Sequence, residues 1–124
     1  LTGIKVLVVD DESDARDLIR RVLASRGAEV ITANSASEGL ELVEKADVLI
    51  SDIGMPDIDG YEFLRRVRAL QPVSSIKIPA IALTAFARSE DRTRALIAGY
   101  QVHISKPVSA AELIATVASV SGRT

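Results

Sequence analysis

The chain has 124 residues, 48% of them hydrophobic and 26% charged, with a formal net charge of −2 and no cysteine. That length suits one domain over residues 1–124 burying roughly two-thirds of its unfolded surface, and the composition excludes disulfides and thiolate metal sites. Mild acidity with scattered Lys and Arg argues against nucleic-acid binding, and no apolar run nears the roughly 18 residues of a membrane span.

Residues 4–9 form a nearly unbroken apolar, β-branched run, the pattern of a central strand covered on both faces. Asp10-Asp11-Glu12 follow, and Ser13 is placed to cap a helix carrying Asp14 and Asp17 in its first turn. Ala15, Leu18, Ile19, Val22 and Leu23 recur at helical spacing, and Gly27 suits the C′ position. Residues 29–33 read as a second, edge strand. Ser35-Ala36-Ser37-Glu38 fits a capping box, with Ala36, Leu40 and Val43 on one face of the helix it opens.

The next apolar run, 48–50, leads into Ser51-Asp52, and Gly54, Pro56 and Gly60 break any continuation. A third helix over 61–70 turns Leu64 and Val67 inward, and 71–77 is a polar loop. Residues 78–83 make a fourth strand, with Pro79 tolerable near its start, ending at Thr84. Ser89 is the expected cap of a fourth helix with Glu90 and Asp91 in its first turn. It closes at Gly99 and is the least apolar of the set, so the most exposed. Residues 100–105 form the fifth strand, running into Lys106-Pro107. Ser109-Ala110-Ala111-Glu112 repeats the capping box, with Leu113, Ile114, Val117 and Val120 on the inner face.

Strict βα alternation with short connections demands a doubly wound parallel sheet with helices on both sides. No GxGxxG follows the first strand, so a dinucleotide site is not expected. In such sheets ligands bind beyond the carboxyl ends of the strands. Asp10 and Asp11 follow the first strand, Asp52 the third, Thr84 the fourth and Lys106 the fifth. Each has an ordinary explanation alone: helix-terminal acids, turn residues, a solvated charge. Convergent, they supply an oxygen set for Mg²⁺ (Mn²⁺ as the alternative), a point charge, a hydroxyl and a carboxylate nucleophile, the parts of phosphoryl transfer.

The set Val8-Val9-Asp10-Asp11-Glu12, Ser51-Asp52-Ile53-Gly54-Met55-Pro56, Asp59-Gly60, Leu83-Thr84-Ala85 and Lys106-Pro107 resembles the receiver domain of two-component response regulators along essentially the whole chain. The resemblance implies a flavodoxin-like (βα)5 three-layer sandwich with strand order 2-1-3-4-5. It implies Asp52 as phosphoacceptor, taking a phosphoryl group from a histidine kinase or histidine phosphotransferase domain and losing it by autodephosphorylation. Mg²⁺ would be held by Asp10, Asp11, Asp52 and the Gly54 backbone carbonyl, with Thr84, Ala85 and Lys106 at the phosphoryl group. A cis Lys106-Pro107 bond, a signalling and dimerisation face on the fourth helix, fifth strand and fifth helix, and a cytoplasmic location are also implied.

His103 stands where the family usually has Tyr or Phe. It is read here as the switch residue, with its charged form expected to disfavour the inward state at low pH because burying imidazolium is costly. Gly54 and Phe86 occupy the positions that tune acyl-phosphate hydrolysis and suggest a long-lived phosphoryl group. Met55 and Tyr61 read as packing residues. The non-Met start, the short tail and the wording of the motifs favour the receiver of a hybrid sensor histidine kinase, a piece of a longer chain. The alternative is a free-standing single-domain regulator. A haloacid-dehalogenase-like phosphatase would use Asp10 as nucleophile with Asp two residues on, where this chain has Glu12, and would need a cap segment that it lacks.

Overall fold

The computed structural model describes residues 1–71, 77–85 and 89–122. Five parallel strands, β1 (Lys5–Val9), β2 (Glu29–Ala33), β3 (Val48–Asp52), β4 (Ala80–Thr84) and β5 (Val102–Ser105), stand in the order β2-β1-β3-β4-β5. Between and after them run α1 (Ser13–Ala24), α2 (Ala36–Leu42), α3 (Gly60–Leu70), α4 (Ser89–Ala98) and α5 (Ala110–Val120). This is the expected doubly wound architecture. In-register pairs such as Val9 with Ser51, Asp52 with Leu83 and Thr84 with Ser105 align the carboxyl ends of the central strands.

The sheet divides the apolar residues into two cores. Leu7, Leu49, Phe63, Leu64 and Val67 pack on the α2–α3 side. Val6, Val8, Ile19, Leu23, Ile50, Ile81, Leu113 and Val117 pack on the α1–α5 side. Strands β3 and β4 are buried at every position, which explains their lack of period-2 alternation. Each such side chain contributes about 1.5–3 kcal/mol relative to exposure.

Local expectations met mixed fates. Ser35 accepts from the Glu38 amide at 3.2 Å, while Glu38 reaches back to the Asn34 amide at 2.8 Å. Ser109 caps α5 through the Glu112 amide, as the sequence suggested. Ser13 does not cap α1. The cap position falls to Glu12, which makes no side-chain cap bond; its amide donates to Asp10 Oδ1 at 2.9 Å. Leu18, expected inward, is half exposed, because Ile19 and Leu23 carry the buried face. Helix α3 begins at Gly60 under the Asp59 cap, and β4 begins at Ala80, past Pro79. Gly27 takes φ +88° two residues past the α1 cap, Ser25. Helix α4 is exposed as expected, with Leu96 and Ile97 open to solvent and Ala95 its buried anchor. The expected Ser89 cap, most of the 71–77 loop and Phe86 lie outside the described residues or side chains. Among the described residues, no helix is long and apolar enough to cross a membrane.

Candidate functional site

Backbone hydrogen bonds at the ends of β1 and β3 aim two carboxylates at one edge. The Asp10 amide donates to Ala33 O at 3.1 Å, and Arg16 Nη1 donates to Asp10 O at 2.7 Å. Beyond Asp52, the Ile53 amide continues onto Leu83 O at 3.0 Å. The Gly60 amide returns to Ile53 O at 2.9 Å, folding residues 54–59 into a loop. A Cβ on Gly60 would strike the Asp52 carbonyl oxygen and come within 2.7 Å of Ile53 Cα, so only glycine lets α3 start this close to the strand end. Tyr100 locks that start by donating its hydroxyl to Gly60 O at 2.6 Å. Met55 is buried in the α2–α3 core, the packing role expected of it.

One oxygen from each of Asp10, Asp11 and Asp52 lies within 4.8 Å of the others. Asp10 is fully buried, Asp52 is 4% exposed and Asp11 faces solvent. Lys106 Nζ stands 3.3 Å from Asp10 Oδ2, 3.4 Å from Asp52 Oδ1 and 3.9 Å from Glu12 Oε1. Its strand end is pinned by its amide, which donates to Thr84 O at 2.8 Å, and the Lys106-Pro107 bond is cis. Burial pushes the Asp52 carboxyl up, and the Asp10 charge adds to that push; Lys106 and the Gly54 amide oppose it without cancelling it. For Lys106, burial alone would lower the ammonium, but Asp52 and Asp10 outweigh it and the net is upward. A buried acid pair with one shared ammonium carries excess negative charge. An all-oxygen donor set with that excess fits a hard divalent cation.

Asp52 opens into a hollow of about 210 Å³ lined also by Gly54, Tyr61, Thr84, Ala85, Asp91 and Lys106. Asp10 is not part of that lining. Among the described residues, a Cβ built on Gly54 meets nothing within 4 Å. A larger hollow of about 470 Å³ sits at the opposite end of the strands, around Val43, Asp47, Ile78 and Pro79, away from these carboxylates.

Every site residue singled out in the sequence and described in the structure stands at or beside this edge. His103 does so through Thr84: its Nε2 lies 2.6 Å from Thr84 Oγ1. Three participants escaped the sequence reading. Glu12 approaches Lys106, Asp91 lines the hollow from α4, and Tyr61 lines it as well as packing on the core, with Arg94 4.1 Å above its ring. Spacing alone gave Asp91 no role beyond the first turn of α4, Glu12 none beyond its motif and Tyr61 none beyond packing.

The chain matches the response regulator receiver domain family over residues 6–118. It is 47% identical over 116 residues to an uncharacterized 14.6 kDa protein of Leptolyngbya boryana, covering 92% of this chain and 87% of that protein. It is 35% identical over 120 residues to the sensor histidine kinase RcsC of Salmonella typhi, of which it spans 12%. The chemotaxis protein CheY4 of Vibrio cholerae superposes with a TM-score of 0.86 at 33% identity, covering 94% of this chain and 98% of that one. The chain therefore belongs to the response regulator receiver domain family.

Proposed function

We propose that this domain accepts a phosphoryl group on a carboxylate oxygen of Asp52 from the phosphohistidine of a kinase or phosphotransferase domain. The observation that carries this reading is the triad of Asp10, Asp11 and Asp52 oxygens within 4.8 Å, with Lys106 reaching Asp10 and Asp52. An Asp52 oxygen attacks phosphorus in line, the O–P bond forms as the N–P bond breaks, and the donor imidazole leaves with its electron pair. Lys106 lies where it neutralises charge on the incoming oxygens, and Thr84 and Ala85 line the hollow that would hold them. An acidic triad of this kind is typical of the Mg²⁺ site of receivers. Asp10 and Asp11 with Asp52 would hold the ion, joined by the Gly54 carbonyl that the family resemblance suggests. When bound, the ion supplies charge neutralisation for the acids and the transferred group.

Asp52 rather than Asp10 is the nucleophile. Asp10 has Oδ1 committed to the Glu12 amide and Oδ2 to Lys106, and it does not line the hollow. That weighs against a phosphatase using Asp10. For the setting, similarity running over 87% of the Leptolyngbya protein and 98% of the CheY4 chain supports a single-domain regulator acting through protein contacts. The match to RcsC keeps the hybrid-kinase receiver as the second reading.

The test is intact mass after incubation with acetyl phosphate, with and without Mg²⁺. A Mg²⁺-dependent gain of one phosphoryl group that Asp52→Asn abolishes supports the reading. A gain that survives Asp52→Asn and vanishes in Asp10→Asn sinks it.

A further inference from the structure

The loop between β3 and α3 has little of its own to hold it in place. Gly54, Pro56 and Asp57 face solvent, while Met55 reaches the core and Ile58 does so in part. Asp57 takes φ +65°, a left-handed conformation that persists where the surroundings over-determine it. Ile53 O draws the two ends together, accepting from the Met55 amide at 3.0 Å and from the Gly60 amide at 2.9 Å. The Gly54 amide lies 3.4 Å from Asp52 Oδ1, so this loop touches the candidate acceptor carboxylate directly.

The far end of the loop is fixed from another part of the chain. Tyr100 is buried in the turn between α4 and β5, and its hydroxyl donates to Gly60 O at 2.6 Å. Its amide donates to Ala95 O at 3.0 Å, which seats the ring from the end of α4. Ser51, fully buried on β3, donates to Asp52 O at 3.0 Å. Burial pushes the Tyr100 phenol up, and the Ser51 hydroxyl opposes this only in part, so the phenol keeps its hydrogen at neutral pH. Gly60 has no room for even a methyl group against Asp52 O and Ile53 Cα, so its placement and that of the β3 end are bound together.

From this arrangement we infer that Tyr100 is a positioning residue for the divalent cation. Its hydroxyl, acting through Gly60, holds residues 54–59 where Gly54 and Asp52 can receive the ion together. The inference rests on the phosphoacceptor reading of Asp52 and the Mg²⁺ site that goes with it. A phenylalanine ring fills the same space, so packing and ion binding separate at one oxygen atom. Without that oxygen Gly60 O loses its donor, and the metal-free loop samples more than one arrangement. The ion must then select the competent one, and its affinity falls by the fraction of time that arrangement is populated. Once bound, the ion holds the loop, so phosphoryl uptake at saturating Mg²⁺ keeps its rate. A role in stability alone predicts the reverse pattern: a lower unfolding midpoint with unchanged affinity in the molecules that are folded.

The test is Mg²⁺ affinity by titration calorimetry on the parent, Tyr100→Phe and Leu113→Ala, well below the unfolding transition of each. Leu113 packs in the core on the other face of the sheet, and urea unfolding gives the destabilisation of both variants. Tyr100→Phe is expected to bind Mg²⁺ about ten-fold more weakly, the low end of the effect of groups that orient metal ligands. Leu113→Ala is expected to stay within about two-fold of the parent, as a distant and independent site does. Acetyl phosphate uptake by Tyr100→Phe should need about ten-fold more Mg²⁺ for its half-maximal rate and reach the parent rate at saturation. If Tyr100→Phe does not fold, Ser51→Ala takes its place, with a weakening of about three-fold expected. Unchanged affinity in the variant tested, or a weakening that Leu113→Ala matches, overturns the inference and leaves the phosphoacceptor reading intact. A parent protein that binds no Mg²⁺ overturns both.

Discussion

Lys106 Nζ stands 3.4 Å from Asp52 Oδ1, and it is the lysine that partners both buried acids of the site. One ammonium against two buried carboxylates leaves Asp52 with a raised proton affinity, from burial first and Asp10 second. The stability consequence has a definite sign. Above the ordinary value of 3.8 the unfolded chain has lost this proton while the folded chain still holds it. Stability therefore falls as pH rises through that window and stays reduced above it. Asp52→Asn removes the charge, so it is expected to stabilise the metal-free domain at pH 7 by about 0.5–2 kcal/mol and to do little at pH 4. Urea unfolding at the two pH values checks this; an equal effect at both would refute it. Lys106→Met leaves both acids without their ammonium and is expected to destabilise at pH 7 by about 1–3 kcal/mol.

Asp11 separates metal binding from folding. It is exposed, yet one of its oxygens falls within 4.8 Å of those of Asp10 and Asp52. Asp11→Asn should leave the metal-free unfolding midpoint within about 0.5 kcal/mol of the parent, as for surface substitutions generally. It should sharply reduce the thermal stabilisation that Mg²⁺ gives, which for the parent at a hundredfold excess over Kd is about 2.7 kcal/mol. A full Mg²⁺ response in the variant would remove Asp11 from the ligand set.

Gly54 offers a substitution that the fold accommodates. Among the described residues nothing lies within 4 Å of a Cβ placed there, so a side chain can start at Gly54 without striking a described neighbour. The new amide would border the hollow beside Asp52 and could orient a water toward an acyl phosphate. Dephosphorylation of Gly54→Asn is expected to be about ten-fold faster than in the parent, short of the 10²–10⁴ of a full general base. Phosphoprotein decay followed by intact mass measures it, and slower decay in the variant contradicts a long-lived parent phosphoryl group.

The sequence carried the sheet and the acidic edge because both depend on short-range signals. Apolar runs without alternation mark buried parallel strands, and the residue after each run is delivered to the carboxyl edge. Asp10, Asp52, Thr84 and Lys106 could thus be located by counting. What could not be read depends on three-dimensional approach. Ser13 looked like a cap, yet the cap position falls to Glu12, whose amide donates to the Asp10 side chain. Leu18 has the spacing of a core residue, yet it falls on the edge of the α1 face and remains exposed. Tyr61 was legible as packing, but its place on the hollow wall follows from where α3 meets α4. His103 was visible as a departure from the family pattern; its bond to Thr84 needed the register of β4 against β5.

Arg68 is the clearest case of a residue whose sequence context misleads. On α3, beside Arg65 and Arg66, it reads as one more solvated charge, and those two do form exposed pairs with Glu62. Arg68 instead turns inward: Nη1 donates to Ile78 O at 2.6 Å and to Gln71 Oε1 at 3.0 Å, and Nη2 donates to Gly99 O at 2.9 Å. Burial lowers its proton affinity, but a guanidinium remains charged under all ordinary conditions. It therefore ties three segments together: the end of α3, the approach to β4 and the turn after α4. The last bond also places a positive charge at the carbonyl end of α4, the helix with the weakest apolar anchor. Arg68→Lys keeps the charge but loses the planar fork, so at least one buried carbonyl goes unpaired, at a cost of about 1–3 kcal/mol. Amide exchange in α4 should rise more than exchange in α5, because α5 docks on the other face without this contact. Equal protection losses across both helices would mean that Arg68 supports the fold globally and does not secure α4.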